Sequence, residues 1–139
     1  MKQKLFYIDS NIFFYAKIMD RKYGSACAKI LKKIYEGKIK AATSTLTILE
    51  VANTLRKFSL EKKVYDEIRA ILSLPLTILP LTLPIIHETL KIYKENKISP
   101  YDCAHAATMK NLKIKHIISA DTDFDKIKWI ERKDPLQAT

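Results

Sequence analysis

Short apolar runs of strand-like composition alternate along this chain with longer segments in which apolar residues recur at helical spacing. This alternation constrains the fold most, because a repeat of every second residue and a repeat of every third or fourth residue bury different faces. Strands are expected at 5–8, 40–44, 76–79 and 116–119, with a short final strand at 129–130. Helices are expected at 11–18, 23–36, 45–58, 61–72, 83–96 and from 99 to about 112.

Strands that are separated by helices pair in parallel and need helices on both faces of the sheet. We therefore expect a three-layer α/β/α sandwich whose central, mostly parallel sheet has about four to five strands. The 139 residues suit one domain, which we place at 1–132, followed by a short frayed tail at 133–139. In such sheets ligands bind beyond the carboxyl ends of the strands, where Asp9 and Asp121 lie.

The chain carries 25 Lys and Arg against 15 Asp and Glu, which gives a net charge of +10. This charge favours a polyanion such as nucleic acid, or an acidic protein, although a Lys-rich composition also arises from genome bias. Cys27 and Cys103 are far apart and suggest reduced, buried thiols. Apolar runs are too short to span a bilayer and no signal-peptide pattern begins the chain, so we expect a cytoplasmic protein without a membrane partner.

Four acidic residues have no Lys or Arg within about one helical turn of sequence: Asp9, Glu50, Asp102 and Asp121. The other acidic residues have such a neighbour, which is typical of solvated helix surfaces. Glu50 is the most informative of the four because it lies in the strongly apolar segment 46–52. An uncompensated carboxylate there costs several kcal/mol or becomes protonated, so the sequence predicts a positive partner for it.

A divalent cation is the simplest partner for these carboxylates if they converge. Two carboxylates about 4 Å apart repel by roughly 4 kcal/mol at an effective dielectric constant of about 20, and a bound ion removes that penalty. Oxygen ligands without cysteine or a histidine cluster favour Mg²⁺ or Mn²⁺. Such an ion can activate water and stabilise the leaving oxygen when a phosphodiester bond is hydrolysed.

Each of the four acids also has a purely structural explanation. Asp102 follows Ser99 at nearly the spacing of a capping box, and Asp9 can cap the helix that follows its strand. Asp121 can form an Asx turn, and Glu50 can pair with a distant Lys or Arg. The sequence leaves these alternatives open for each residue taken singly.

Polar residues near these acids are candidates for a supporting role. Asn11 and Ser119 can orient the acids or a water molecule, and both can equally be turn residues. Asp123 is a candidate fifth acid, although its neighbour Lys126 gives a surface ion pair comparable weight. His105 lies one turn after Asp102, where we expect a packing or hydrogen-bonded histidine rather than a metal ligand.

The order of these residues along the chain resembles that of a known family. The segments are Tyr-Ile-Asp-Ser-Asn-Ile at 7–12, the apolar helix that bears Glu50, Ser-Pro-Tyr-Asp-Cys-Ala-His-Ala-Ala-Thr at 99–108, and Ser-Ala-Asp-Thr-Asp-Phe at 119–124. Together they resemble the PIN-domain nucleases over about residues 4–130. The small size resembles that of the VapC-type toxins of prokaryotic toxin–antitoxin pairs.

The resemblance implies a Mg²⁺- or Mn²⁺-dependent endoribonuclease that hydrolyses RNA phosphodiester bonds and is the toxin of such a pair. The catalytic residues and metal ligands would then be Asp9, Glu50, Asp102 and Asp121. The supporting groups would be Asn11, Ser119 and Asp123. The implied partners are an RNA substrate, a protein antitoxin whose tail enters the active-site groove, and a second copy of the chain in a homodimer.

Other functions remain open on the sequence alone. A housekeeping RNA-processing nuclease or a catalytically silent RNA-binding or assembly module would share the same PIN-like fold. A phosphatase of the haloacid-dehalogenase type also begins with a strand that ends in Asp, but it needs a second Asp two positions later, where this chain has Asn11. The spacing of the acids also does not fit a receiver domain.

Overall fold

The computed structural model describes residues 3–138 and contains five strands and six α-helices within that range. In chain order these elements are β1 (Leu5–Ile8), α1 (Ser10–Ile18), α2 (Gly24–Tyr35), β2 (Lys40–Ser44), α3 (Thr45–Lys57), α4 (Val64–Leu72), β3 (Thr77–Leu79), α5 (Leu83–Glu95), α6 (Pro100–Asn111), β4 (His116–Ile118) and β5 (Glu131–Lys133). Single turns of 3₁₀ helix lie at Glu61–Lys63, Thr122–Lys126 and Pro135–Gln137.

All five strands are parallel and lie in the order β3-β2-β1-β4-β5. The central strand is β1, in which Tyr7 is in register with Ala42 of β2 and with Ile117 of β4. The direction in which the chain adds strands reverses at β1, so the loops after β1 and β4 leave the sheet side by side. The carboxyl edge between these two strands is therefore the natural place for a ligand.

Helices cover both faces of the sheet. Tyr7 and Ile117 point to one face, where they pack in a buried cluster with residues of α5 and α6. Ile8 and Ile118, the next residues along their strands, point to the opposite face and pack with residues of α1, α2, α3 and α4. The expected three-layer α/β/α sandwich is thus confirmed, with a sheet that is entirely parallel.

The end of the chain differs from what the sequence suggested. The final strand is Glu131–Lys133, two residues later than expected, and the backbone N–H of Ser119 donates to the carbonyl oxygen of Lys133. Pro135 is buried, so residues 133–138 pack on the domain instead of fraying. The limits proposed for the domain and its tail stay a prediction, since residues 1, 2 and 139 lie outside the described range.

Two further expectations can be compared with the structure. Cys27 and Cys103 are both buried and form no disulfide, as the sequence predicted. Among the described residues, no helix has the length and apolar character that crossing a membrane requires.

Candidate active site

Asp9 lies directly after β1 and caps the N-terminus of α1, with only 5% of its surface exposed. Its Oδ1 accepts a hydrogen bond from the backbone N–H of Ser10 at 2.7 Å. Its Oδ2 accepts from Asn11 Nδ2 at 3.2 Å and from Ser119 Oγ at 2.5 Å. The capping role considered for Asp9 is therefore real, but it leaves a carboxylate held rigidly at the carboxyl edge of the sheet.

Ser119 and Asn11 connect the ends of β1 and β4. Besides donating to Asp9, Ser119 Oγ accepts from the backbone N–H of Asp121 at 2.9 Å and from Asn11 Nδ2 at 3.2 Å. Asn11 Oδ1 in turn accepts from the N–H of Ala120 at 3.3 Å. These bonds bring the loops that carry Asp9 and Asp121 into one fixed arrangement, whereas the supporting role in catalysis stays a prediction.

Asp102, Asp121 and Asp123 form one acidic group, whose carboxylate oxygens lie within 4.8 Å of one another. Asp102 sits in the first turn of α6, where its backbone N–H donates to the capping Ser99 Oγ at 3.1 Å. Asp121 Oδ1 accepts from the N–H of Asp123 at 2.9 Å, which is the Asx turn anticipated from the sequence. The Asx turn at Asp121 is thus confirmed, whereas the cap of α6 uses the backbone N–H of Asp102 and its carboxylate meets that of Asp121 instead. Asp123 also forms the surface pair with Lys126, at 3.1 Å.

Glu50 belongs to a second group with Asp9 and His105, again with ligand atoms within 4.8 Å of one another. The Oε1 atom of Glu50 lies 2.6 Å from Nε2 of His105. The long-range basic partner predicted for Glu50, whose side chain is 25% exposed, is therefore a histidine rather than a Lys or Arg. Helices α3 and α6, which bear these two residues, lie on opposite faces of the sheet and meet at its carboxyl edge.

His105 is 1% exposed and is hydrogen-bonded through both ring nitrogens. Its Nδ1 lies 2.7 Å from the hydroxyl of Tyr7, and that hydroxyl donates to Ser44 Oγ at 2.9 Å. A phenol has one hydrogen, so the Tyr7 oxygen accepts from Nδ1–H while Nε2–H donates to Glu50. His105 is thus the hydrogen-bonded histidine that the sequence led us to expect.

The same contacts determine the charge of His105. Burial acts to lower the pKa of its imidazole, but the Tyr7 oxygen, the hydrogen bond to Glu50 and the negative charge of Asp9 raise that pKa well above its ordinary value. His105 is thus a buried cation at neutral pH. It compensates Glu50 and Asp9, which accounts for a carboxylate on the apolar helix α3.

Asp102 has no such compensation. Burial, followed by the charges of Asp121 and Asp9, raises the pKa of Asp102 to about 7, and a hydrogen bond to Asp121 adds to this rise, while His105 opposes it. Within the described residues Asp102 and Asp121 form no ion pair with a basic side chain, and their oxygen atoms are ligands that Mg²⁺ and Mn²⁺ prefer. The residues present fit a hard divalent cation.

The family model for the PIN domain matches residues 6–130. The chain belongs to the PIN domain family. This confirms the resemblance found in the four sequence segments, which fall within the matched range. No curated protein sequence matches this PIN domain at a significant level.

Solved structures with the same fold include several toxins and toxin–antitoxin complexes. VapC20 of Mycobacterium tuberculosis, described as a sarcin–ricin loop cleaving toxin, has a TM-score of 0.73 and 15% identity over 92% of this chain and 98% of that chain. A chain of VapBC2 from Rickettsia felis, bound to a promoter DNA fragment, has a TM-score of 0.72 and 15% identity, and the match covers 94% of this chain and 98% of that chain. A chain of DNA-bound VapBC from Salmonella typhimurium has a TM-score of 0.71 and 16% identity, and the match covers 96% of this chain and 99% of that chain. Identities this low show a shared fold.

Sequence reasoning missed several residues that support the site of this PIN domain. Tyr7 and Ser44 continue the hydrogen-bonded chain from Glu50 and His105 into the interior. Arg132 Nη1 donates to the carbonyl oxygen of Ser119 at 3.0 Å, and Asp125 holds the same guanidinium through two bonds of 3.0 and 3.1 Å. The one available signal was Tyr7 itself, since a tyrosine in a buried central strand needs a partner for its hydroxyl.

Proposed function

We propose that this PIN domain is a Mg²⁺- or Mn²⁺-dependent endoribonuclease and the toxin component of a toxin–antitoxin pair. The observation that carries the proposal is that two acidic groups lie at one edge of the sheet, Asp9 with Glu50 and Asp102 with Asp121, close enough for the charge of Asp9 to raise the pKa of Asp102. Carboxylates that crowd together in this way would favour a divalent cation in place of a bound proton.

The four acids would hold the ion, directly or through water, and Asp123 would assist. A bound ion would supply an activated water molecule and stabilise the leaving oxygen during phosphodiester hydrolysis. Neighbouring side chains would hold these carboxylates in position. Ser119 and Asn11 orient the carboxylate of Asp9, and His105 fixes that of Glu50.

The choice of substrate and partner rests on charge and on the structural neighbours. The net charge of +10 favours RNA, whose backbone is a polyanion. One neighbour is described as a toxin that cleaves the sarcin–ricin loop, and others are toxin–antitoxin complexes. We accordingly propose an RNA substrate, a protein antitoxin and a homodimeric, cytoplasmic protein.

The test is RNA cleavage by purified protein freed of any bound partner, with Mg²⁺, Mn²⁺ or EDTA. We expect cleavage only with the metals, and its loss in Asp9→Asn and in Asp102→Asn. Asp66→Asn, which changes an exposed acid on α4, is the matched control and should keep full activity. If the parent binds varied RNAs but cleaves none with either metal, the catalytically silent binding module replaces the enzyme. A housekeeping nuclease would cleave RNA without a cognate antitoxin that inhibits it.

A further inference from the structure

A groove of about 500 Å³ runs beside the acidic groups, and its volume is within the range of ligand-binding sites in proteins. One wall is α3, which contributes Glu50, Asn53, Thr54 and Lys57 among its lining residues. The opposite wall includes Tyr101 from the first turn of α6. We call this feature the α3 groove. Because Glu50 belongs to both, the groove continues directly from the proposed catalytic centre.

Tyr101 provides an aromatic surface at the mouth of the α3 groove. It immediately precedes Asp102 in the chain, and 63% of its surface is exposed. The Ser99 cap fixes the first turn of α6, so the backbone beneath this ring is held in place. An exposed ring next to a nuclease centre can stack with any unpaired base, since every base has a π-face.

Lys57 provides a positive charge at the far end of the groove. It is the last residue of α3 and is exposed, and within residues 3–138 no acidic side chain lies within ion-pair distance of it. Two helical turns separate it from Glu50, which corresponds to about 10 Å along the axis. At that distance its ammonium reaches a phosphate next to the scissile one rather than the scissile phosphate itself.

We propose that the α3 groove binds a single-stranded RNA segment, with an unpaired base stacked on Tyr101 and a neighbouring phosphate bound by Lys57. Asn53 and Thr54 lie between them and offer hydrogen-bonding groups for base edges. Duplex RNA does not fit this arrangement because its bases are already stacked in the helix. The proposal rests on the proposed function, since it assumes that the scissile phosphate lies at the acids.

The test measures binding of a labelled single-stranded RNA and of its duplex in an Asp121→Asn background, which prevents cleavage. Tyr101→Ala should raise the Kd for single-stranded RNA about tenfold, the size expected for loss of one stacked base, and Tyr101→Trp should restore it. Lys57→Ala should weaken binding and reduce the slope of log K against log salt by about 0.7, the value for one lost phosphate contact. Binding of duplex RNA should not change.

Matched controls lie on α2, which does not line the groove. Tyr35 is 72% exposed and Lys32 is exposed, so Tyr35→Ala and Lys32→Ala remove the same chemistry elsewhere. Both should bind single-stranded RNA like the parent. Thermal unfolding and Mn²⁺ affinity, measured without the Asp121 substitution, should be equal in all variants, which excludes a disturbed fold or metal site.

Two results of the binding experiment would overturn the proposal, and a third would come from cleavage kinetics. One is that Tyr101→Ala and Lys57→Ala bind single-stranded RNA as tightly as the α2 controls. The other is that they keep RNA binding and lose a protein partner, which would make the α3 groove a protein-docking surface. If the parent cleaves no RNA but the variants still show the expected losses of binding, the subsite stands and the proposed nuclease fails. If the parent cleaves RNA and Tyr101→Ala leaves its KM unchanged, the nuclease stands and the subsite fails.

Discussion

At the scale of single residues, the acids of this PIN domain differ in how their charge is compensated. Asp9 accepts hydrogen bonds from Ser119 and Asn11, and Glu50 faces the protonated His105. Asp102 instead meets mainly Asp121 and Asp9, so burial and repulsion raise its pKa to about 7. Asp102 is therefore the acid whose state depends most on whether a cation is bound.

Asp102→Asn should stabilise the metal-free protein at neutral pH. The pKa of Asp102 is about 7 in the folded protein against an ordinary value of 3.8 for aspartate, so the folded state holds the proton more tightly than the unfolded state. The stability that this proton contributes is complete below pH 4 and is lost as the pH rises through about 7. The Asp102→Asn variant has no carboxyl group to ionise there, so its stability does not fall in this way as the pH rises. Thermal unfolding in EDTA should give equal Tm values near pH 4 and a higher Tm for the variant at pH 8.

Excess Mn²⁺ should reverse this order, because the ion stabilises the parent and not the variant. The control variant Asp66→Asn should have the same Tm as the parent at every pH. A variant that is no more stable than the parent at pH 8 in EDTA would show that repulsion around Asp102 is negligible.

Tyr7→Phe should weaken metal binding from within the core. The substitution removes the oxygen that accepts from His105 Nδ1, and an unpaired buried donor costs about 1–3 kcal/mol of stability. With His105 less firmly placed, the carboxylate of Glu50 is less well oriented, and loss of such outer contacts typically costs about 10- to 100-fold in metal affinity. Mn²⁺ titration calorimetry measures this. The control variant Tyr23→Phe removes a hydroxyl from the α1–α2 corner and should leave the Mn²⁺ affinity unchanged. If Tyr7→Phe and Tyr23→Phe bind Mn²⁺ with equal affinity, the role given to Tyr7 is contradicted.

The sequence singled out the acids that the structure brings to one edge of the sheet, but not how they are paired; their role in catalysis stays a prediction. Isolation from basic neighbours and position at strand ends marked out Asp9 and Asp121, and these are local properties. The pairing of Glu50 with His105 joins residues that are 55 positions apart, and that of His105 with Tyr7 spans 98 positions. No local pattern encodes such contacts, because they depend on how the layers of the sandwich pack together.

At the scale of elements, the strands and helices with strong apolar periodicity were located to within about two residues. One exception is α4, which begins at Val64 rather than at 61 because Glu61–Lys63 form a 3₁₀ turn. The other is the final strand, Glu131–Lys133, whose three residues are all charged. It is a strand because His116 of β4 pairs with Glu131, and because Asp125 neutralises Arg132. Composition favoured 129–130 instead, so this error has a tertiary cause.

Gly24→Ala should destabilise the corner between α1 and α2. A Cβ atom at this first residue of α2 would lie 2.6 Å from the carbonyl carbon of Met19, which is backbone and has little room to move. Such overpacking typically costs about 1–3 kcal/mol in the free energy of unfolding. Urea denaturation of Gly24→Ala beside Ser25→Ala, an exposed neighbour in the same helix, measures the difference. If both variants unfold at the parent's midpoint, the corner does not require glycine.

At the scale of the whole molecule, the charge distribution has two opposed parts. The chain as a whole carries +10 and attracts the RNA backbone, while the acids at the carboxyl edge of the sheet repel any phosphate that approaches without a cation. The acids are thus expected to make productive RNA binding depend on the metal.

Removing two of these acids should therefore strengthen RNA binding in the absence of metal. In EDTA, we expect Asp9→Asn/Asp102→Asn to bind single-stranded RNA more tightly than the parent, as measured by fluorescence anisotropy. The control Asp66→Asn/Glu95→Gln removes the same charge from exposed helix positions and should have a smaller effect. Equal gains in the two double variants would mean that the edge acids do not face the RNA.

The strand order β3-β2-β1-β4-β5 also has a consequence for biosynthesis. The neighbouring strands β1 and β4 bring together Asp9 and Asp121, which lie far apart in sequence and are therefore made at different times. A nascent chain therefore carries half of its acids long before the strand that completes the site has left the ribosome. The metal-binding edge proposed for this domain can therefore form only after β4 has been made, however early the rest of the sheet assembles.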